Sequence, residues 1–177
     1  MTTQIKGNAT STFGGNIDVT GNVVTDAPAF HAYQSTQQTG ISNAVFTKVN
    51  LQTEDFDTDN CFDNVTNYRF TPTVAGYYQI NATAQGVNAA SSVGSSFLSI
   101  YKNGSRHRES VINTATTAGI ARTFPSVSGL VYANGTTDYF ELYVYADGMP
   151  STYSLNSSTA THRTTFSAVL VRAVWVQ

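Results

Sequence analysis

From about residue 29 onward, apolar and polar side chains alternate and the pattern breaks at short intervals on Gly, Pro and Asn, with no helical periodicity. Two-residue alternation punctuated by turns predicts an all-β sandwich or barrel. Over 77–84, Tyr78, Ile80, Ala82 and Ala84 fall on one face and Tyr77, Gln79, Asn81 and Thr83 on the other, the pattern of a half-buried strand. Further strands are expected over 44–49, 96–101, 106–113 and 124–132. Lys102-Asn103-Gly104 is a hairpin signal between two of these, and Asn134-Gly135 turns the chain again. The acidic 55–67 reads as a turn region and 86–94 as a loop.

Two strands depart from this pattern. In 139–145, Phe140, Leu142 and Val144 share one face while Tyr139, Tyr143 and Tyr145 share the other. In 166–176, Phe166, Ala168, Leu170, Val174 and Val176 lie opposite Val169, Val171 and Trp175. A strand apolar on both faces must be covered on both, and a sandwich covers only one face of each sheet. With no helix available, a second copy of the chain is the expected cover. Tyr139, Tyr143, Tyr145, Val169, Val171 and Trp175 are therefore the candidate residues of an interface between copies.

Residues 1–28 stand apart. Gly14-Gly15 and Gly21-Asn22 break short apolar runs around Ile17 and Val19, which reads as a β stem too short to fold alone. Asp26-Ala27-Pro28 marks a boundary. The expected organisation is thus a stem over 1–28, which would anchor to other proteins, and a head over 29–177.

Composition narrows the function classes. Charged residues make up 11% of the chain, well below the usual quarter or so, and Ser, Thr, Asn and Gly supply the polar surface. A net charge of −2 gives no electrostatic reason to expect nucleic acid or membrane as partner. The single cysteine, Cys61, cannot close an internal disulfide. The first residues are polar and carry no signal-peptide pattern, so the chain is expected to be made in a cytosol. Sequons at Asn8, Asn64, Asn81, Asn103, Asn134 and Asn156 read as a by-product of Asn/Thr-rich composition.

Candidate chemistry is sparse. Asp55, Asp57, Asp59 and Asp63 alternate as calcium-binding carboxylates can. An EF-type loop, however, needs Gly where Asn60 stands and an acid where Thr66 stands, and Asp is also an ordinary turn former. No cofactor is otherwise expected. Arg106-His107-Arg108 is a candidate receptor-binding cluster for a phosphate or carboxylated glycan, against a plain charged surface after a turn. Tyr101, Tyr132 and Tyr153 offer rings that could stack on sugars. Nothing favours catalysis. His31, His107 and His162 show no zinc-ligand spacing, no Gly-x-Ser-x-Gly elbow occurs, and Cys61 lacks a nucleophile's setting.

Phe70-Thr-Pro-Thr-Val-Ala-Gly76-Tyr-Tyr78-Gln-Ile80 resembles the globular head of complement C1q, within the C1q and tumour necrosis factor superfamily. Its pattern is Phe, five residues, Gly, any, Tyr, any, aromatic, with Ile80 in the last place. Leu98 through Gly104, Ser128 through Val131, 138–144 and Phe166 through Val171 extend the resemblance in order, with Ala168 where Gly is common. The resemblance implies a ten-stranded jelly-roll sandwich that assembles as a tight homotrimer and binds other molecules. The stem instead resembles the Gly/Asn/Thr-rich β segments of bacteriophage fibres. Together they imply a trimeric virion protein, a tail or head fibre knob, attaching to a host surface glycan or protein and assembled in the host cytoplasm. The alternatives are a purely structural head or tail decoration protein, and a secreted-type lectin or signalling ligand.

Overall fold

The computed structural model describes residues 27–88, 94–113, 122–148 and 153–174. The expected stem therefore lies outside the described residues up to position 26, as does Trp175. The described residues form strands and no helix, hence none long and apolar enough to cross a membrane. The strands are β1 (Ala29–Tyr33), β2 (Gln38–Ile41), β3 (Thr47–Lys48), β4 (Thr53–Asp57), β5 (Phe62–Asp63), β6 (Arg69–Phe70), β7 (Gly76–Thr83) and β8 (Gly86–Asn88). They continue as β9 (Ser95–Lys102), β10 (Ser105–Asn113), β11 (Arg122–Thr123), β12 (Ser126–Ala133), β13 (Phe140–Ala146), β14 (Tyr153–Leu155) and β15 (Thr165–Ala173).

Two main antiparallel sheets form a jelly-roll sandwich. The first runs β12-β7-β15-β1-β4. The second runs β10-β9-β13-β6-β5, with β3 added on β13. A smaller sheet, β11-β8-β14-β2, completes the architecture. The core takes one face of each main sheet. Phe30, Ile80, Ala82 and Phe166 come from the first, and Phe70, Leu98, Ile100, Phe140, Leu142 and Val144 from the second. Aromatic contacts bridge the sheets, with Phe30 centred 4.7 Å from both Phe62 and Phe70, and Phe70 centred 5.4 Å from Tyr78.

The segment that carries the sequence resemblance is structural throughout. Phe70 and Ile80 are fully buried, and the Tyr78 hydroxyl donates to the Val74 carbonyl at 2.7 Å. A Cβ at Gly76 would run into the Arg172 carbonyl and the Leu170 side chain on the neighbouring strand, so only hydrogen fits there. The β9–β10 hairpin turns on Asn103 (φ 52°) and Gly104 (φ 78°), both left-handed as a tight two-residue turn demands.

Four expectations about elements are corrected. The strand expected over 44–49 reduces to β3, because Ala44 turns left-handed (φ 59°) and the segment hangs on β13 through Ala44 N to Ala146 O and Val49 N to Leu142 O, both 2.8 Å. The first strand of the head is β1, not recognised as a strand in the sequence. The acidic stretch read as a turn contains edge strand β4, where exposed carboxylates suit a sheet edge that must not pair further. The loop expected over 86–94 begins with β8, which pairs both β11 and β14.

Candidate interface and candidate sites

The outward face of the first sheet is divided along its strands. Leu130, Gln79 and Val169 lie side by side across β12, β7 and β15, and Tyr132, Tyr77 and Arg172 form the next row. The β-bulge between Leu170 and Arg172 makes Val171 the extra residue at this end. Leu130, Val169, Val171 and Tyr77 expose 51%, 43%, 59% and 42% of their surfaces. With Arg172, three of them line an apolar groove of 330 Å³. Tyr77 and Tyr132 pack ring to ring, with centroids 5.6 Å apart. Toward the other end of the strands the face turns polar, through Asn81, Ser128 and Ser167 and then Thr83 and Thr165, whose hydroxyls are 3.0 Å apart.

Tyr143 and Tyr145 lie on β13 of the opposite sheet, with Tyr139 immediately before it, and not on the face that carries Val169 and Val171. Their second face has a cover within the chain. Tyr143 stacks on Tyr101 (4.1 Å, 28°), and Tyr145 packs against Phe46 (4.9 Å) and Phe97 (5.1 Å). The Arg69 guanidinium sits 3.7 Å from the Tyr139 ring centroid. Phe46 belongs to the non-strand segment that hangs on β13, a cover that alternation alone does not reveal. Between the tyrosines lies Glu141. Its Oε1 accepts from Lys48 Nζ (2.7 Å), Arg69 Nε (2.9 Å) and Arg69 Nη2 (2.6 Å). Burial alone would raise the Glu141 carboxyl, but the hydrogen bonds and charges of Lys48 and Arg69 outweigh it and hold the group below its ordinary range.

The four aspartates considered for calcium point to separate partners. Asp57 accepts from Phe62 N (2.8 Å) and Cys61 Sγ (3.2 Å). Asp59 accepts from the Thr73 hydroxyl. Asp63 takes the amides of Val65, Thr66 and Asn67, and those bonds, Thr66 foremost, hold its carboxyl low. Asp55 faces two histidines, His31 and His162. Burial, followed by the hydrogen bond to Asp57, pushes the Cys61 thiol upward, the reverse of what a nucleophilic thiolate requires.

Arg106-His107-Arg108 opens β10 on an exposed bulge and, with Glu109, lines a shallow depression of 170 Å³. Arg106 is engaged by Glu109 (3.2 Å) and by the Phe46 ring (5.0 Å). Desolvation, then Arg108 and Lys102, lowers the His107 pKa, so its ring resists adding a third cation. Of the tyrosines considered for sugar stacking, Tyr132 is exposed and Tyr101 half-buried. Tyr153 is fully buried, its hydroxyl 2.6 Å from Thr123 Oγ1 and 3.1 Å from Ser96 Oγ, and is unavailable to a ligand.

No family model matches the sequence. No curated protein is similar enough in sequence to match either. Solved structures do match in fold. Murine APRIL at pH 8.0 superposes with a TM-score of 0.59 at 9% identity, over 82% of this chain and 99% of that one. Murine APRIL at pH 8.5 gives 0.57 at 10% identity over the same shares. The globular domain of zebrafish complement 1qA gives 0.52 at 13% identity, over 83% and 99%. The jelly-roll sandwich is therefore of the kind found in both.

Proposed function

We propose that this chain is a homotrimeric binding head that self-associates through the outward face of its first sheet. The observation that carries the reading is the patch of exposed apolar side chains Leu130, Val169, Val171 and Tyr77, three of which line an apolar groove. Contiguous apolar surface of this kind on a regular sheet is costly to leave in water and is ordinarily covered by a partner. The fold shared with APRIL and the complement 1qA domain, and the trimer that the sequence resemblance implies, favour a second and third copy as that partner. Light scattering tests it: a particle of three times 19.0 kDa is expected for the purified protein. The variant combining Val171→Glu and Leu130→Glu places charges in the interface and is expected to run as a folded monomer. A wild-type monomer removes the reading.

The finer setting is a virion appendage, with residues 1–28 as anchor and the head projecting to bind a host surface. Its support is the Gly/Asn/Thr-rich character of the stem and the low charge of the chain. Imaging labelled protein on intact particles decides the setting, and binding of purified heads to host cells decides the role. Localisation on particles without cell binding would leave a decoration protein, and absence from particles would leave a soluble lectin-like or ligand-like head. In each setting the work is binding rather than catalysis.

A further inference from the structure

We infer that His31, Asp55 and His162 form a binding site for a divalent transition-metal ion, with Zn²⁺ as the natural occupant. The three residues are 131 positions apart at the extremes and meet through the topology of the first sheet. His31 lies on β1, Asp55 on its edge neighbour β4, and His162 on the segment that leads into β15, the other neighbour of β1. The ladder between β1 and β4 shifts register between His31 and Ala32, which pair with Phe56 and Glu54. Asp55 is thus the extra residue of a bulge, a device that re-aims a side chain. It turns the carboxylate to the same side as His31.

The donor atoms converge. Asp55 Oδ2 lies 2.7 Å from His31 Nδ1 and 3.2 Å from His162 Nδ1, and one ligand atom from each residue fits within 4.8 Å of the others. In tetrahedral zinc sites, ligand atoms held at about 2.0–2.2 Å from the metal stand roughly 3.3–3.5 Å apart. The His162 separation nearly meets that spacing, the His31 contact is about 0.6 Å shorter, and small side-chain shifts bring the set, all within 4.8 Å, onto one ion.

The His162 ring is also oriented as a ligand. Its Nε2 is 3.1 Å from the Thr159 carbonyl, an acceptor only, so Nε2 carries hydrogen and Nδ1 is the nitrogen turned to Asp55. A second ring nitrogen bonded to a backbone carbonyl is the usual support of a metal-bound histidine. Tyr33 stacks on the same ring at 4.0 Å and 11°, which holds its plane, and the residue sits at a left-handed φ of 39°. Nδ1 of His162 and the Asp55 carboxylate can be bridged by a proton or by a metal ion, and with His31 on the same carboxylate oxygen a metal ion engages all three residues at once. Two imidazoles and one carboxylate suit Zn²⁺ and its neighbours, whereas calcium and magnesium favour oxygen ligands. The side chains are 25%, 38% and 29% exposed, which leaves an entry path and room for water to complete the coordination shell.

The site is independent of the self-association reading. It is tested on tag-free, chelator-stripped protein by calorimetric titration with Zn²⁺ and by visible absorption with Co²⁺. One ion per chain is expected, with the intense absorption of four-coordinate Co²⁺, displaced by Zn²⁺. Zinc at about a hundred times its Kd should raise the melting midpoint by several degrees. His31→Ala, His162→Ala and Asp55→Ala should each weaken binding by about 100-fold or more, while His107→Ala, at the third histidine of the chain, leaves it unchanged. Melting in chelator establishes that each variant folds. Should one fail to fold, X-ray absorption at the zinc edge of the wild type must show two imidazoles among nitrogen and oxygen neighbours. No stoichiometric binding by the wild type, or wild-type affinity in any of the three variants, overturns the site.

Discussion

Replacing Glu141 by Gln should cost this protein more stability than any other single charge removal on its surface sheets. The side chain is 3% exposed, and its Oε1 receives three N–H donors from two cations. The amide keeps the shape and can leave an oxygen at the Oε1 position, but it removes the charge that Lys48 and Arg69 pair with and puts an NH2 where Oε2 accepts from the Tyr143 hydroxyl. Breaking a buried ion pair costs about 3–5 kcal/mol when the stranded charge stays buried. Here the stranded groups are Lys48 and Arg69, each 29% exposed and able to regain water, so the expected loss falls to about 2–3 kcal/mol. For a chain of this length that lowers the melting midpoint by about 4–12 °C. Lys48→Met alone should cost less, because Arg69 still holds Oε1 with two donors. The pH dependence provides a second check. Because the folded carboxyl titrates below its ordinary value of 4.5, its stabilisation is complete above that value and is lost as pH falls through the lower, folded one. The gap between wild type and Glu141→Gln should therefore shrink on acidification. Calorimetry or urea denaturation of the two proteins measures both effects. A midpoint within about 1 °C of wild type at neutral pH, where the pair is fully charged, would refute the reasoning.

Three further outcomes follow from other parts of the structure. Gly76→Ala should destabilise by about 3 kcal/mol or more, since the methyl meets backbone of β15 and cannot be accommodated by a rotamer change; unchanged urea unfolding would show that the strands can part. Stability should decline as pH drops below about 4, because Asp63 and Asp138 join Glu141 in titrating low. Burial of Asp138 works against this, but bonds from Asn103 and Lys102 prevail, while Glu54, raised first by burial and then by Asp57 and Asp63, gives a smaller opposite slope above its ordinary 4.5. A flat denaturation profile between about pH 5 and 3 would contradict that balance. The variant combining Val171→Glu and Leu130→Glu should sediment as a monomer with an unchanged melting curve per chain at low concentration, and a trimer that survives both charges would move the interface elsewhere.

What could be read in the sequence is what repeats locally. Alternation placed Tyr78, Ile80, Ala82 and Ala84 in the core, and all four are buried. The Asn103-Gly104 turn was legible because only a few residues tolerate two left-handed positions in succession. Alternation could not say what lies over a strand's second face. Tyr143 and Val169 look alike in the sequence, yet one stacks on Tyr101 and is half-buried within its own chain while the other faces outward. Glu141, standing between tyrosines in an otherwise apolar strand, was the visible sign that this face is enclosed: a charge so placed needs cations brought to it, and Lys48 and Arg69 arrive from distant segments.

The histidine cluster was invisible for a related reason. Ligand spacing rules describe sites built on one helix or one loop, whereas His31, Asp55 and His162 come from three segments joined by strand order and a one-residue bulge. The same acidic run that suggested calcium by its local spacing thus divides once folded. Asp57 and Asp63 bond the amides of their own turns, and Asp55, the bulged residue, turns away from them to the histidines. The two properties of the sheet lie apart along its strands. Its apolar rows lie toward the Gly76 end of β7, and the histidine corner toward the Thr83 end. A metal ion at the corner would tie edge strand β4 to β1 and to the segment entering β15 without touching the apolar rows. Zinc should therefore raise the melting midpoint of the Val171→Glu, Leu130→Glu monomer as much as that of the wild type. If it stabilises only the wild-type assembly, the two ends of the face are coupled through the neighbouring copy.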